Sequence, residues 1–336
     1  MHPYTARRPA IAQGGRSLVE MMLSITIGLA VTAGVSTAFV ASTRTARVAG
    51  ELAGIADTGQ VAMQLIGNSI RQSGYGEIVG SEIAIGGGQA SLQRSQTLFA
   101  DGASLAGCSG ARFVDDTNRN PVCGGAVDPN FDSLMVRFQG DAVIPPAQGL
   151  IDDCLGILPP AEPLPVGHVG TSVVANRPIV QNTYFGAAGS LWCRGNGRAA
   201  EALPFPAPQQ LVGNVEQFKV FYGFDDVRYS NPAVNPGATV RSLRDAAFLN
   251  GLPPETLPWD FVVSVHVCIV VRSGPDAARD LSNATSYSYS RCPMTAAEAA
   301  GAPPQETATD RALRRTYTQV FTVRSRATAN PRQFLP

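Results

Sequence analysis

The pattern of apolar and polar positions begins with one long apolar run and continues as an amphipathic one. From Leu18 to Val40 the only ionisable side chain is Glu20, and about 20 apolar residues suffice for a helix to cross a bilayer. Beyond this run, apolar and small residues recur at steps of three and four, which is typical of a helix with one buried face. These residues are Leu52, Ile55, Gly59, Ala62, Ile66 and Ile70. The pattern predicts a helix over residues 16–72 with a transmembrane segment at about 18–40.

The pattern changes to that of a β-rich domain after Ser73-Gly74-Tyr75-Gly76, where glycines favour the end of a helix. Alternation over 134–138 and 218–222, and a β-rich run over 316–323, predict strands. The segment Phe261–Val271 is apolar at nearly every position, as in a central strand buried on both faces. Proline-rich stretches at 145–165, 204–208 and 300–304 cannot be interior strands. We therefore predict an α+β fold in which the long helix packs on a largely antiparallel sheet, with 73–336 as one globular domain.

Charge and composition limit the classes of function. The chain has 336 residues, is 44% hydrophobic and has no net charge, and its region from Glu51 onward carries 25 acidic and 21 basic residues. Nucleic acid is therefore not expected as a principal ligand, because such binding needs clustered basic residues. Arg7 and Arg8 precede the apolar run. Because basic residues favour the cytoplasmic side, we expect a single pass through the inner membrane with the globular domain in the periplasm.

The cysteines predict disulfides. Their number is even, none forms a CxxC motif, and the domain is expected in an oxidising compartment. Six cysteines allow fifteen connectivities, of which we favour sequential pairing. A zinc site is the alternative, but the spacings and the presence of only three histidines disfavour it. The predicted pairs are Cys108 with Cys123, Cys154 with Cys193, and Cys268 with Cys292.

Glu20 and the glycine ahead of the apolar run are unusual for a secretory signal. A carboxylate within a membrane span is costly and is usually paired or functional. In an ordinary signal peptide the cleavage site follows the apolar core, which is discarded. Here Gly15 precedes the core, so a cut between Gly15 and Arg16 would retain the whole helix and free an amine at the membrane surface.

Gly15, Arg16 and Glu20 together resemble the signature of the type IV prepilins: a glycine, a cut, a glutamate at the fifth position after the cut, and an apolar helix. The resemblance implies that residues 1–15 are a leader removed by a prepilin peptidase, which then N-methylates Arg16. It also implies that Glu20 pairs with a neighbouring subunit's amine during assembly. Arg16 stands where the family usually has phenylalanine or methionine, and Ser17 stands where it usually has threonine.

Several later segments are similar to the PilW group of minor pilins. The resemblance implies a low-abundance subunit that helps to prime pilus assembly and sits at or near the pilus tip. It implies as partners other minor pilins, the major pilin, the inner-membrane assembly platform and a tip adhesin. We expect no cofactor. The similar segments are Ile70–Tyr75, Val215–Gly223, Val262–Arg272, Arg314–Thr318 and Val323–Arg326.

Two other functions remain open. A minor pseudopilin of a type II secretion system shares the signal and the general architecture. A membrane-anchored periplasmic enzyme or ligand-binding protein belongs to a different class, and it would work normally after substitution of Glu20. Genomic neighbours would distinguish the first alternative, and the effect of Glu20→Ala on filaments would distinguish the second.

No catalytic or metal constellation is predicted, so we do not expect an enzyme. His2 lies in the leader, His168 follows a Pro/Gly loop and His266 lies in an apolar strand, where a structural role is expected. Residues 116–120 resemble the opening of a calcium loop, but Pro121 stands where glycine is needed, so a polar turn is the default. The aromatic and charged segment 222–229 is compatible with a binding loop or a hairpin turn.

Overall fold

The structure is a computed structural model that describes residues 17–75, 104–115, 121–140, 152–157, 159, 161–168, 171–197, 206–230, 240–275, 277 and 286–323. The leader and the cleavage site at Gly15 and Arg16 lie outside these residues. The chain divides into two compact units, Met1–Gly50 and Glu51–Pro336. The first long element is helix α1, Leu18–Gln72.

The N-terminal half of α1 is apolar on all sides and exposed. An 18-residue window of the helix has a mean hydropathy of 1.9, which makes it long and apolar enough to cross a membrane. Most of its hydroxyl groups donate to carbonyl oxygens three or four residues earlier, as Ser24 does to Glu20 and Thr32 does to Gly28. These bonds satisfy the hydroxyl groups within the helix. Burying those groups in an apolar environment therefore leaves no unpaired hydrogen-bond donor.

The C-terminal half of α1 carries the amphipathic face that the sequence predicts. Ile55, Ala62, Ile66 and Ile70 are buried. Leu52 was wrongly assigned to this face, since its side chain is 43% exposed. Ile55, one turn later, is only 3% exposed, so the sheets cover Ile55 but leave Leu52 largely uncovered.

Fourteen strands follow α1 in the described residues, together with helices α2 (Asp226–Ser230), α3 (Ala246–Asn250) and α4 (Ala296–Ala299). The strands are β1 (Leu105–Cys108), β2 (Ala111–Asp115), β3 (Val122–Val127), β4 (Ser133–Gln139), β5 (Ala161–His168), β6 (Thr171–Ala187), β7 (Ser190–Gly195), β8 (Gln209–Gly213), β9 (Val215–Phe224), β10 (Ser242–Arg244), β11 (Val262–Arg272), β12 (Tyr287–Ser290), β13 (Gln305–Ala308) and β14 (Arg314–Thr322).

The strands form two main sheets, and every strand pair in them is antiparallel. The six-stranded sheet has the order β1-β4-β6-β7-β8, with β5 paired to β6 beside this path. The four-stranded sheet has the order β10-β9-β11-β14. Two hairpins, β2-β3 and β12-β13, complete the described fold. The predicted α+β class is confirmed, although the strands form two main sheets rather than one.

The strands predicted from the apolar pattern are present. β11 is buried at every position except His266 and Arg272, which confirms the expected central strand. β5 contains two prolines and, among the described strands, pairs with β6 alone, as expected of a strand that cannot be interior. Residues 222–229 form neither a binding loop nor a hairpin turn. They are the end of β9 followed by α2, because the Asp225 carboxylate accepts from the Arg228 N–H as a helix N-cap does.

The three disulfides join Cys108 to Cys123, Cys154 to Cys193 and Cys268 to Cys292. These are the sequential pairs that the sequence analysis favours. The first ties the β2-β3 hairpin to the six-stranded sheet, and the second ties residues 152–157 to β7. The third fixes the segment after β12 against β11. Each disulfide therefore holds a hairpin or an irregular segment against a strand of a main sheet.

Candidate functional site

Two features of α1 are considered as candidate sites: a carboxylate near one end of the apolar helix, and close packing of the other end against the sheets. Glu20 lies in the first turn of α1 and is exposed. It is surrounded by exposed apolar side chains such as Leu18 and Met21. A carboxylate in apolar surroundings gains stability from a cationic partner, so Glu20 can serve as a point of recognition between helices.

Glycines in the second half of α1 allow aromatic side chains of β14 to pack closely on the helix. An added Cβ at Gly59 would overlap the ring of Tyr317, and one at Gly67 would overlap the ring of Phe321. The Tyr317 hydroxyl donates to the Ile55 carbonyl at 3.2 Å. The two glycines therefore receive the two rings, and any side chain at either position would force them apart.

A buried polar network joins the same half of α1 to the six-stranded sheet. The hydroxyls of Ser69 and Tyr184 lie 2.7 Å apart, and the Asn182 amide donates to Ser69 at 3.0 Å. The Asn182 carbonyl oxygen accepts from the Cys154 N–H at 2.8 Å. Burial raises the pKa of Tyr184 well above its usual value, so its hydroxyl stays protonated and hydrogen-bonded. The network links the helix to the segment held by the Cys154–Cys193 disulfide.

The only lysine of the chain, Lys219, forms a buried ion pair with Asp132 at 2.6 Å. The two side chains are 5% and 4% exposed. Asp132 also accepts from the Gly110 and Val220 N–H groups, each at 2.8 Å. Burial raises the pKa of the Asp132 carboxyl, while Lys219 and the two N–H groups oppose that rise. The pair connects the residue just ahead of β4 with β9, and thus the two main sheets.

The sequence contained only weak signals for these contacts. Lys219 stands between Phe218 and Val220 in a mostly apolar strand, and a charge flanked by apolar residues in such a strand indicates a buried partner. Its partner Asp132 could not be identified because it is 87 residues away in the chain. Gly59 was predicted to lie on the buried face. Only the tertiary structure shows that an aromatic ring packs against it.

The histidines and acidic residues do not form a catalytic arrangement in the part of the chain described. His266 lies on β11, where partial burial lowers its pKa. The side chain of His168 and the polar segment 116–120 lie outside the described residues. Among the described residues, no group of three or more His, Cys, Asp or Glu side chains could hold a metal ion.

The comparison with protein families identifies residues 179–325 as similar to the family described as type IV pilus-assembly protein W. This range, somewhat less than half of the chain, runs from β6 through β14. Among solved structures, the type IV-like pilin TTHA1219 from Thermus thermophilus is similar at 14% identity, over 58% of this chain and 79% of that chain, with a TM-score of 0.29. No curated protein sequence matched the chain.

The family match confirms the resemblance that the sequence predicts. It supports a type IV pilus-related pilin and implies contact with other pilus components in general. It also indicates a structural rather than an enzymatic protein. The apolar half of α1 is consistent with the membrane anchor of such a pilin.

Proposed function

We propose that this chain is a minor pilin of the type IV pilus, which helps to prime pilus assembly and sits at or near the tip with other minor pilins. The observation that carries the proposal is the combination of an uninterrupted helix, Leu18–Gln72, with a match to the pilus-assembly protein W family over 179–325. A pilin needs both, since the helix polymerises while the globular domain defines the subunit.

The proposed mechanism is physical rather than chemical. Prepilin peptidase removes residues 1–15 and methylates Arg16, and the helix remains stored in the inner membrane with the globular domain in the periplasm. The helix then moves into a helical bundle with other minor pilins and the major pilin. There the exposed Glu20 pairs with the amine of a neighbouring subunit, because a charge leaving the membrane surface for an apolar bundle needs an opposite charge.

The rest of the assembly follows from this movement. The inner-membrane platform extracts the subunit, and the disulfide-held segments of the globular domain present a surface that supports a tip adhesin. A rigid body suits this role, because the network at Ser69 and the rings at Gly59 and Gly67 fix the second half of α1 to both main sheets.

The test is the substitution Glu20→Ala in the full chain, with Thr26→Ala as the matched control. The Thr26 hydroxyl is exposed and donates to the Leu23 carbonyl within the same helix, so its removal leaves the helix and its charge unchanged. We expect the Glu20 variant to reach the membrane normally and to be depleted from sheared pili, with fewer surface filaments. Normal pili that contain the Glu20→Ala subunit would refute the pairing role.

A further inference from the structure

The outer edge of β14 carries the features of a docking site for another strand. β14 is the last strand of the four-stranded sheet, so within the described residues its other edge has no strand partner. Natural edge strands are usually protected by proline, lysine, bulges or brevity. β14 has nine residues and pairs with β11 over nine consecutive positions without a register shift. From Thr316 to Thr322 it has no charge, proline or glycine.

The direction of the backbone groups along β14 can be derived from its neighbours. The Val323 N–H donates to the Val263 carbonyl of the segment leading into β11. Along an antiparallel strand, successive residues direct their N–H and C=O groups alternately to the two sides. The odd-numbered residues therefore bond β11, and the N–H and C=O groups of Thr318, Val320 and Thr322 point to the open edge.

A groove beside this edge can accept side chains. It lies between the second half of α1 and β14 and has a volume of about 290 Å³. Exposed Val320, at 52% exposure, lies on the opposite face of the same strand. The groove is lined by Gln60, Met63, Gln64, Arg71, Tyr317, Thr318, Gln319 and Phe321. A strand laid along β14 would place alternate side chains in this groove and beside Val320.

We propose that the open edge of β14 binds an extended strand of another pilin subunit. Strand addition suits the chemistry of the site. The edge offers backbone hydrogen bonds to an added strand, and the groove discriminates among the side chains of that strand. The exposed guanidinium of Arg71 in the groove, which also lies over the Phe321 ring, favours a strand that places a carboxylate beside it. The identity of the occupant rests on the proposed function, in which the neighbours are different minor pilins.

The test uses the full chain in cells with a photoreactive benzoylphenylalanine at position 318, and the same residue at Phe248 as a control site. Phe248 is 39% exposed and lies on α3, away from this edge. We expect irradiation to give an adduct from position 318 with an extended segment of another pilin. We expect no such adduct from position 248.

Val320→Pro provides the decisive variant. Proline removes an N–H that points to the open edge and leaves the bonds to β11 intact, as prolines in edge strands do. The matched control is Val320→Thr, which keeps the N–H and a β-branched side chain. We expect the adduct to fall about tenfold with proline, the loss expected for about 1.4 kcal/mol, and to persist with threonine.

Several results would overturn the inference. These are an adduct that proline does not reduce, an adduct with lipid, with this same chain or with a second copy of it, and the lack of any adduct. Failure of the proposed function would be seen separately, as pili that assemble normally in a strain that lacks this chain.

Discussion

Gly59 of α1 lies directly against the aromatic ring of Tyr317 on β14, so closely that a Cβ at position 59 would overlap the ring. Gly54, five residues earlier on the same helix, has no atom within 4 Å of the position of an added Cβ. The two glycines therefore have opposite structural roles, although the sequence does not distinguish them.

This difference predicts opposite effects of alanine. Gly59→Ala must displace a ring whose hydroxyl bonds the Ile55 carbonyl, and overpacking of this kind costs about 1–3 kcal/mol. Gly54→Ala only improves helix propensity, which stabilises by up to about 1 kcal/mol. Urea unfolding of the detergent-solubilised chain measures both. Equal changes in the free energy of unfolding would contradict the close packing of Tyr317 on Gly59.

The buried ion pair predicts a large effect from the only lysine. Lys219→Met leaves the Asp132 carboxylate buried without its cation, which costs about 3–5 kcal/mol of unfolding free energy. Arg272→Met is the control, because its contact with Glu216 is 3.5 Å long and Arg272 is 46% exposed. We expect a loss below about 1 kcal/mol there. Similar losses in the two variants would show that the Lys219 pair does not contribute as described.

We expect that removing the Cys154–Cys193 disulfide destabilises the protein, with the largest local effect in one segment. The bond closes a separation of 39 residues, and native disulfides contribute about 2–4 kcal/mol. The double variant Cys154→Ser/Cys193→Ser should therefore unfold at lower urea, and residues 152–157 should exchange amide hydrogens faster. Peptide mapping without reduction checks the premise, which fails if either cysteine is linked to one of the other four.

The position of His266 predicts a pH dependence. Partial burial lowers its pKa below the ordinary value of 6.5, so between these two values the unfolded chain binds a proton that the folded chain does not. Stability from this group is present above about pH 6.5 and is lost as the pH falls. In the His266→Gln variant, this contribution to the dependence of stability on pH should disappear. Thermal unfolding of both proteins between pH 5 and 8 measures it, and parallel curves would contradict the assignment.

The sequence predicted the elements whose pattern is local. The end of α1 at Gln72 follows from the glycines after it, and the buried strand β11 follows from a continuous run of apolar residues. The burial of Ile55 follows equally, because helical spacing alone assigns it to a face. The exposure of Leu52 does not follow, since it depends on which positions of the helix the sheets cover.

The parts that the sequence did not predict depend on residues far apart in the chain. Asp132 and Lys219 pair across two sheets, and Tyr317 meets a helix more than 250 residues earlier. The open edge of β14 depends on the order of the strands, which is a property of the whole fold. The candidate Glu20 was identified because its signal is local, whereas the prediction for Gly15 and Arg16 falls outside the described residues.

The central claim is that a peptide bond is cut just ahead of a helix that the protein keeps. Intact-mass analysis of the chain from cells with a working prepilin peptidase tests it most directly. The account predicts a mature chain that begins at Arg16, with Glu20 as its fifth residue and three disulfides. A chain that still begins at Met1 in those cells would contradict it.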